Sequence, residues 1–235
     1  ATATVTATPT DTPTPSATPT PTVTPTATAT RTPAPGYLPV VLAERCTLKH
    51  RHADVVLVLD ASGSMTGDKL VLAKAAAKAF LDALSLPPDR AAVVAFSYEA
   101  ALLAPLTDDL TVLRPAIDAI ATTPGTRIDR GLRVANDVLA APDRPRDRSG
   151  VIVLLTDGTQ TEEPETAPIE ADRARRAGTL VYTIGLGTDV DGPMLVRLAG
   201  DARRYFFAPT AAELAGIYAQ VASDIPCPPS AFWGR

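Results

Sequence analysis

Three oxygen-bearing side chains stand at alternate positions in one short stretch of the chain: Asp60, Ser62 and Ser64. Carboxylate and hydroxyl oxygens are hard donors, whereas the softer metals favour thiolate and imidazole ligands. No cysteine or histidine stands among the three residues. The spacing therefore predicts a site for Mg²⁺, with Mn²⁺ or Ca²⁺ as further candidates, because these ions also accept oxygen ligands.

The residues before Asp60 form a continuous apolar run, Val55–Leu59, made of valines and leucines. Such a run indicates a strand that is buried on both faces of a parallel sheet. Beyond Gly67 the apolar residues recur at helical spacing. In open α/β sheets, ligands bind at the carboxyl end of a strand, which is where these three side chains are expected.

The rest of the globular region repeats the alternation of apolar runs and helical patterns. We predict strands at 54–60, 91–97, 100–103, 151–155, 180–184 and 205–207, and helices at 67–84, 111–120, 129–140, 165–177, 191–199 and 213–225. This order predicts right-handed crossovers and an α/β fold: a doubly wound, mostly parallel central sheet with helices on both faces.

Two further predicted loops carry oxygen donors. Thr126 lies in the loop between two predicted helices, and Asp157 follows the strand at 151–155 within Thr156-Asp157-Gly158. We expect these side chains to meet Asp60, Ser62 and Ser64 at one rim of the sheet. Taken singly, a serine pair after a strand is more often a turn and a helix cap, and Thr126 alone is an ordinary loop hydroxyl.

Together these motifs, Asp60-Ala61-Ser62-Gly63-Ser64, Gly125-Thr126 and Thr156-Asp157-Gly158, resemble the von Willebrand factor type A domain with an intact metal-ion-dependent adhesion site. The resemblance covers residues 53–225. It implies that Ser62 and Ser64 ligate the ion directly, and that Thr126 does so when a partner is bound. Asp60 and Asp157 would act through water or orient the hydroxyls. One departure is Pro124, which stands where the family often has glycine.

The resemblance implies a function as well. A site with few direct anionic ligands leaves the ion electrophilic, so an Asp or Glu carboxylate of a protein partner can complete the octahedron that Mg²⁺ prefers. We therefore predict a non-enzymatic, adhesion-type protein-binding domain. One alternative is a scaffold module in which the ion only steadies the loops. A second is a haloacid-dehalogenase-like phosphatase, but its chemistry needs an acid two residues after the nucleophile, where this chain has Ser62.

Other residues of the predicted rim have two possible interpretations. Tyr98, Glu99, Arg127 and Asp129 lie on its loops and are candidates for contact with the partner, or they belong to solvated loops. Glu162, Glu163 and Glu165, just past Asp157, suggest either a second calcium site or an acidic surface loop, and a run of like charges favours the loop.

The composition divides the chain into four segments. Residues 1–36 are a Thr/Pro-rich stretch with almost no charge, which predicts an extended low-complexity linker or stalk. A connecting segment (37–52), the domain (53–225) and a C-terminal tail (226–235) follow. Cys46 and Cys227 bracket the domain. Two cysteines in this position, together with the stalk, predict a disulfide and an extracellular or cell-surface location.

The charge pattern excludes some classes of partner. The net charge is −4, and no basic stripe of the kind that binds nucleic acid is present. Arg144, Arg146 and Arg148 alternate with aspartates, which we interpret as a solvated loop. No stretch approaches the roughly 18 apolar residues that span a bilayer. We expect the domain to be a monomer.

Overall fold

The structure is a computed structural model, and it describes residues 52–225. The predicted stalk, nearly all of the connecting segment, the C-terminal tail and the predicted Cys46–Cys227 disulfide lie outside the described residues, so they remain predictions.

The described residues form one sheet of six strands, with β1 near its centre. The order across the sheet is β3-β2-β1-β4-β5-β6. All neighbouring pairs are parallel except β2 and β3, which are antiparallel. The bounds are β1 Ala53–Asp60, β2 Arg90–Phe96, β3 Ala100–Thr107, β4 Ser149–Thr156, β5 Leu180–Leu186 and β6 Tyr205–Ala208.

Six α-helices cover the sheet: α1 Asp68–Ala83, α2 Leu110–Asp118, α3 Ile128–Leu139, α4 Thr166–Arg176, α5 Gly192–Ala199 and α6 Leu214–Asp224. The apolar faces of α1, α2 and α6 pack in one hydrophobic core, and those of α3, α4 and α5 pack in a second. Because successive side chains of a strand point to opposite faces, β1 contributes Leu57 to the first core and Val58 to the second. This arrangement confirms the predicted fold class.

The element bounds agree with the sequence to within two residues, with one exception. The edge strand β3 continues to Thr107 rather than ending at 103. Pro105 lies within the added residues, although proline cannot donate to a ladder of hydrogen bonds. In the structure Pro105 lies where the register with β2 shifts between the pairs Val93–Ala104 and Ala91–Thr107, so the missing donor is accommodated at an irregularity. No helix within residues 52–225 is long and apolar enough to cross a membrane.

Candidate metal site at the carboxyl ends of the strands

The neighbouring parallel strands β1 and β4 bring two of the predicted loops together. Leu59 pairs with Leu155, so both strands end side by side, at Asp60 and Thr156. The chain after each strand turns directly into the loop that carries the predicted donors. The parallel register of these two strands therefore determines the position of the site.

Asp60 is fully buried at the end of β1. One carboxylate oxygen accepts a hydrogen bond from the backbone N–H of Ser62 at 2.7 Å, and the other accepts from the Thr156 hydroxyl at 2.5 Å. Burial raises the pKa of this carboxyl, and the nearby charge of Asp157 acts in the same direction. Hydrogen bonds from Ser62 and Thr156 lower the pKa but offset only part of that rise. Asp60 thus holds the turn that presents Ser62. Among the described residues, no cationic side chain contacts the Asp60 carboxylate.

A chain of hydrogen bonds connects the remaining donors of these two loops. The hydroxyl oxygens of Ser62 and Ser64 are 3.0 Å apart, and Ser64 donates to one Asp157 oxygen at 2.6 Å. The other Asp157 oxygen accepts from the Lys69 ammonium at 2.7 Å. Ser62 and Asp157 are buried, whereas Ser64 is exposed. The site therefore opens to solvent at Ser64.

Thr126 reaches the same place from the third loop. A Cβ atom added to Gly158 would lie 3.8 Å from the Thr126 hydroxyl and 4.0 Å from the Ser64 hydroxyl, so both hydroxyls border one small space. The Thr126 backbone carbonyl accepts from the N–H of Thr161 at 3.0 Å. The structure thus brings all five predicted metal-site residues to one rim: Asp60, Ser62, Ser64, Thr126 and Asp157.

Gly125 fits this loop for a steric reason. Its φ of +90° lies in the region that favours glycine, and an added Cβ would lie 2.8 Å from the Cβ of Tyr98. The backbone N–H of Tyr98 also donates to the Pro124 carbonyl at 3.2 Å. The loop that carries Thr126 is therefore packed closely against the turn between β2 and β3.

Arg127 and Asp129 form an internal ion pair. Asp129 is fully buried and Arg127 is 6% exposed. Two guanidinium nitrogens of Arg127 donate to the two Asp129 oxygens at 2.9 and 2.8 Å. Burial alone would raise the pKa of Asp129, but the contact with Arg127 outweighs it and the pKa is lowered. The interpretation of these two residues as a solvated loop is therefore wrong, and neither presents a free surface to a partner.

The acidic residues after Asp157 also have internal partners. Arg127 donates to Glu163 at 2.7 Å and to Glu162 at 3.1 Å, which ties the loop after β4 to the start of α3. Glu165 accepts from Arg197 at 3.0 Å. Because each carboxylate is paired with an arginine, the group forms ion pairs across the surface and not a second calcium site.

Tyr98 and Glu99 are the exposed members of the predicted rim set. The Tyr98 side chain is 45% exposed, and the Arg130 guanidinium carbon lies 4.6 Å from the centre of its ring. Arg130 also pairs with Glu99. Of the four residues that we considered for partner contact, the structure therefore leaves these two on the surface.

The donor set fits a hard divalent cation. Within residues 52–225, no three His, Cys, Asp or Glu side chains come together as a metal-binding group. The rim instead combines three hydroxyls with two carboxylates, as the sequence predicted. Hydroxyl and carboxylate oxygens suit Mg²⁺ and similar ions, and two carboxylates leave such an ion room for a further anionic ligand.

A family model, described as the von Willebrand factor type A domain, matches residues 54–220, which is more than half of the chain. This chain belongs to the von Willebrand factor type A family. The match begins in β1 and ends in α6, so it covers the whole sheet and the rim.

Relatives of this von Willebrand factor type A chain differ widely in length. It is 30% identical over 190 residues to inter-alpha-trypsin inhibitor heavy chain H4 of Bos taurus, covering 73% of this chain but only 20% of that protein. Proximal thread matrix protein 1 from the mussel byssus, solved with a zinc-occupied MIDAS motif, is 27% identical with a TM-score of 0.66. That alignment covers 74% of this chain and 46% of the mussel protein.

A third similarity concerns the fold alone. The type V pili tip protein Mfa5 of Porphyromonas gingivalis has a domain with a TM-score of 0.66 at 20% identity, covering 75% of this chain and 95% of that domain.

Two residues of the site were not predicted from the sequence to take part in it: Thr156 donates to the second oxygen of Asp60, and Lys69 donates to the second oxygen of Asp157. Arg127 was a candidate for partner contact, but its ion pair with Glu163, which links two rim loops, was not predicted. Thr156 immediately precedes a predicted donor, so its position offered a clue. Lys69 offered none, because a lysine in the first turn of an amphipathic helix is usually solvated.

Proposed function

We propose that the chain is a non-enzymatic, Mg²⁺-dependent protein-binding domain of the adhesion type. The observation that carries the proposal is the rim itself: the hydroxyls of Ser62 and Ser64 are hydrogen-bonded to each other and to Asp157, beside a buried Asp60. The zinc-occupied site of the mussel relative supports a metal at this rim.

In this proposal the hydroxyls of Ser62, Ser64 and Thr126 hold the ion. Asp60 keeps the turn at Ser62 in place through its hydrogen bond with the backbone, and Asp157 orients Ser64. The bound ion supplies Lewis acidity toward an Asp or Glu carboxylate of the partner. Exposure of Ser64 at the opening of the site leaves room for that carboxylate.

A protein is the proposed partner because the surface beside the ion site is suited to a side chain. A groove of about 190 Å³ lies next to the rim, and its lining includes Ala61, Phe96, Leu103 and Ile120. An apolar groove beside a carboxylate site fits a segment that presents one acidic and one apolar residue. The byssus matrix protein among the similar structures, together with the predicted stalk and disulfide, supports an extracellular location.

The test is a calorimetric titration of Mg²⁺ and Mn²⁺ into the full chain after removal of metals by a chelator. We expect saturable binding by the natural protein and a loss of at least about tenfold in affinity, about 1.4 kcal/mol, for Ser64→Ala and Thr126→Ala. Ser223→Ala is the matched control, because that hydroxyl is exposed on α6 and bonds only the nearby Gln220 carbonyl among the described residues.

Equal affinity for all four proteins would contradict the site. Absence of binding by the natural protein, with Mn²⁺ and a carboxylate both present, would favour a scaffold module in which the five residues hold the loops as polar groups without an ion.

A further inference from the structure

Lys69 places a positive charge directly against the proposed ion site. Its ammonium lies 2.7 Å from one oxygen of Asp157, whose side chain is fully buried, while the lysine side chain itself is 40% exposed. The other oxygen of Asp157 is engaged by Ser64. One of the two carboxylates of the site is therefore already neutralised from within the chain.

The two carboxylates differ in this respect. Within residues 52–225, Asp60 accepts hydrogen bonds from uncharged donors, which include the Ser62 backbone N–H and the Thr156 hydroxyl, whereas the charged Lys69 ammonium contacts Asp157. With both carboxylates ionised, Asp60, Asp157 and Lys69 together carry a net charge of −1. A divalent cation bound to them gives +1, and one added carboxylate returns the assembly to neutrality.

Without Lys69 the net charge of the ion-loaded site is different. Two carboxylates and one divalent cation are already neutral, so the loaded site has no net charge that attracts an anion. Two like charges a few ångströms apart near a protein surface interact appreciably, although water and salt weaken the repulsion. Lys69 thus disfavours binding of the ion alone. It favours binding of the ion together with a carboxylate.

We propose that Lys69 couples ion binding to the partner's carboxylate, lowering the affinity of the site for the ion alone and raising the affinity of the loaded site for an anionic ligand. This inference rests on the proposed function, because it assigns a specificity-determining role at the same site. Coupling of this kind is reciprocal: an anion tightens ion binding by the same factor by which the ion tightens anion binding.

The experiment compares the full chain with Lys69→Met, which keeps the length of the stem without the charge, and with Lys69→Arg, which keeps the charge. Lys78→Met is the matched control, because Lys78 lies on the same helix and pairs with Asp118, whose side chain is largely exposed. Each protein is titrated with Mn²⁺ in sodium chloride and in sodium acetate of equal ionic strength, with acetate as the carboxylate probe.

In chloride we expect Lys69→Met to bind Mn²⁺ about tenfold more tightly than the natural chain, and the gain in affinity on changing to acetate to shrink. Lys69→Arg and Lys78→Met should keep the natural pattern. Circular dichroism of each variant checks that the fold is retained.

The outcomes separate the inference from the proposed function. Equal or weaker Mn²⁺ binding by folded Lys69→Met, with binding by the natural chain, would overturn the inference and leave the metal site standing. Binding by Lys69→Met alone would support the inference. Binding by none of the proteins would overturn both.

Discussion

Asp54 and Asp60 stand at opposite ends of β1, and both side chains are fully buried. Asp54, at the amino end, is surrounded by the guanidinium groups of Arg90, Arg144 and Arg148, at distances of 2.6 to 2.9 Å. Asp60, at the carboxyl end, has a backbone N–H and a hydroxyl for partners. The same residue type on the same strand is thus in two electrostatic environments.

The pKa directions express this contrast. Burial alone would raise the pKa of Asp54, but its hydrogen bonds and charge interactions with the three arginines outweigh burial, and the pKa is lowered. Burial prevails at Asp60, and the pKa is raised. The chain therefore neutralises the Asp54 carboxylate with its own arginines. It holds the Asp60 carboxylate in place by hydrogen bonds without neutralising its charge. We infer that the first stabilises the fold and that the second serves a cation from outside.

The largest effect is expected at the amino end. Asp54→Asn should lower the free energy of unfolding by about 3 kcal/mol, because three arginines then lose the carboxylate that balances them. The value is at the lower end of the range for buried pairs, since the arginine side chains are 12 to 29% exposed. Urea titration in the presence of a chelator measures the change in the free energy of unfolding.

Asp118→Asn is the control for Asp54→Asn, because it removes the largely exposed partner of Lys78 and should cost less than about 0.5 kcal/mol. Equal costs for the two variants would show that the arginine cluster contributes no more than a surface ion pair.

The second expected effect is a pH dependence of the difference in unfolding free energy between the natural chain and Asp54→Asn. The pKa of Asp54 is lowered in the folded state, so its contribution is fully present above the unfolded pKa of about 3.9 and is lost as the pH falls through the lower folded value. The stability gap between the natural chain and Asp54→Asn should therefore stay constant near neutral pH and narrow below about pH 4. Urea midpoints across the acid range measure it, and a gap that widens on acidification would contradict it.

Of the two buried aspartates of β1, the one at the carboxyl end is expected to have the smaller effect on stability. Asp60→Asn should change the free energy of unfolding in chelator by less than about 1 kcal/mol, because it removes a buried charge and keeps an acceptor for the Ser62 N–H. If Mn²⁺ binds at the rim as proposed, it should raise the melting temperature of the natural chain, and the same variant should lose that increase. A loss above about 2 kcal/mol in chelator would make Asp60 a structural residue like Asp54 and remove the contrast.

The carboxyl end of β1 was largely predictable from the sequence, because its donors lie directly after apolar runs. A run such as Val55–Leu59 indicates a buried parallel strand, and the ends of neighbouring parallel strands meet at one edge. The loops after Asp60 and Thr156 could therefore be placed together before any contact was known. Thr126 was a weaker prediction from the loops alone, since no strand precedes it directly, and the family resemblance supplied its role as a ligand.

The amino end could not be predicted in the same way. Arg144 and Arg148 alternate with aspartates, and we interpreted them as part of a solvated loop, which is wrong for these two. Their partner, Asp54, lies 90 and 94 positions away in the chain. A local pattern shows which charges are neighbours in sequence, but an ion pair across the fold depends on the packing of the sheet. Arg127 and Asp129 were misinterpreted because their burial likewise depends on a distant loop.

The hydrogen bonds at the rim also have a consequence for folding. Asp60 and Thr156 are 96 positions apart, and Ser64 and Asp157 are 93 apart, with α1, β2, β3, α2 and α3 between them along the chain. Contacts of such long range form only after β1 and β4 have paired, and a slip of one residue would turn every side chain of β4 to the opposite face. An ion held at the rim would therefore stabilise only chains whose central strands have the correct alignment, and so act as a check on strand register.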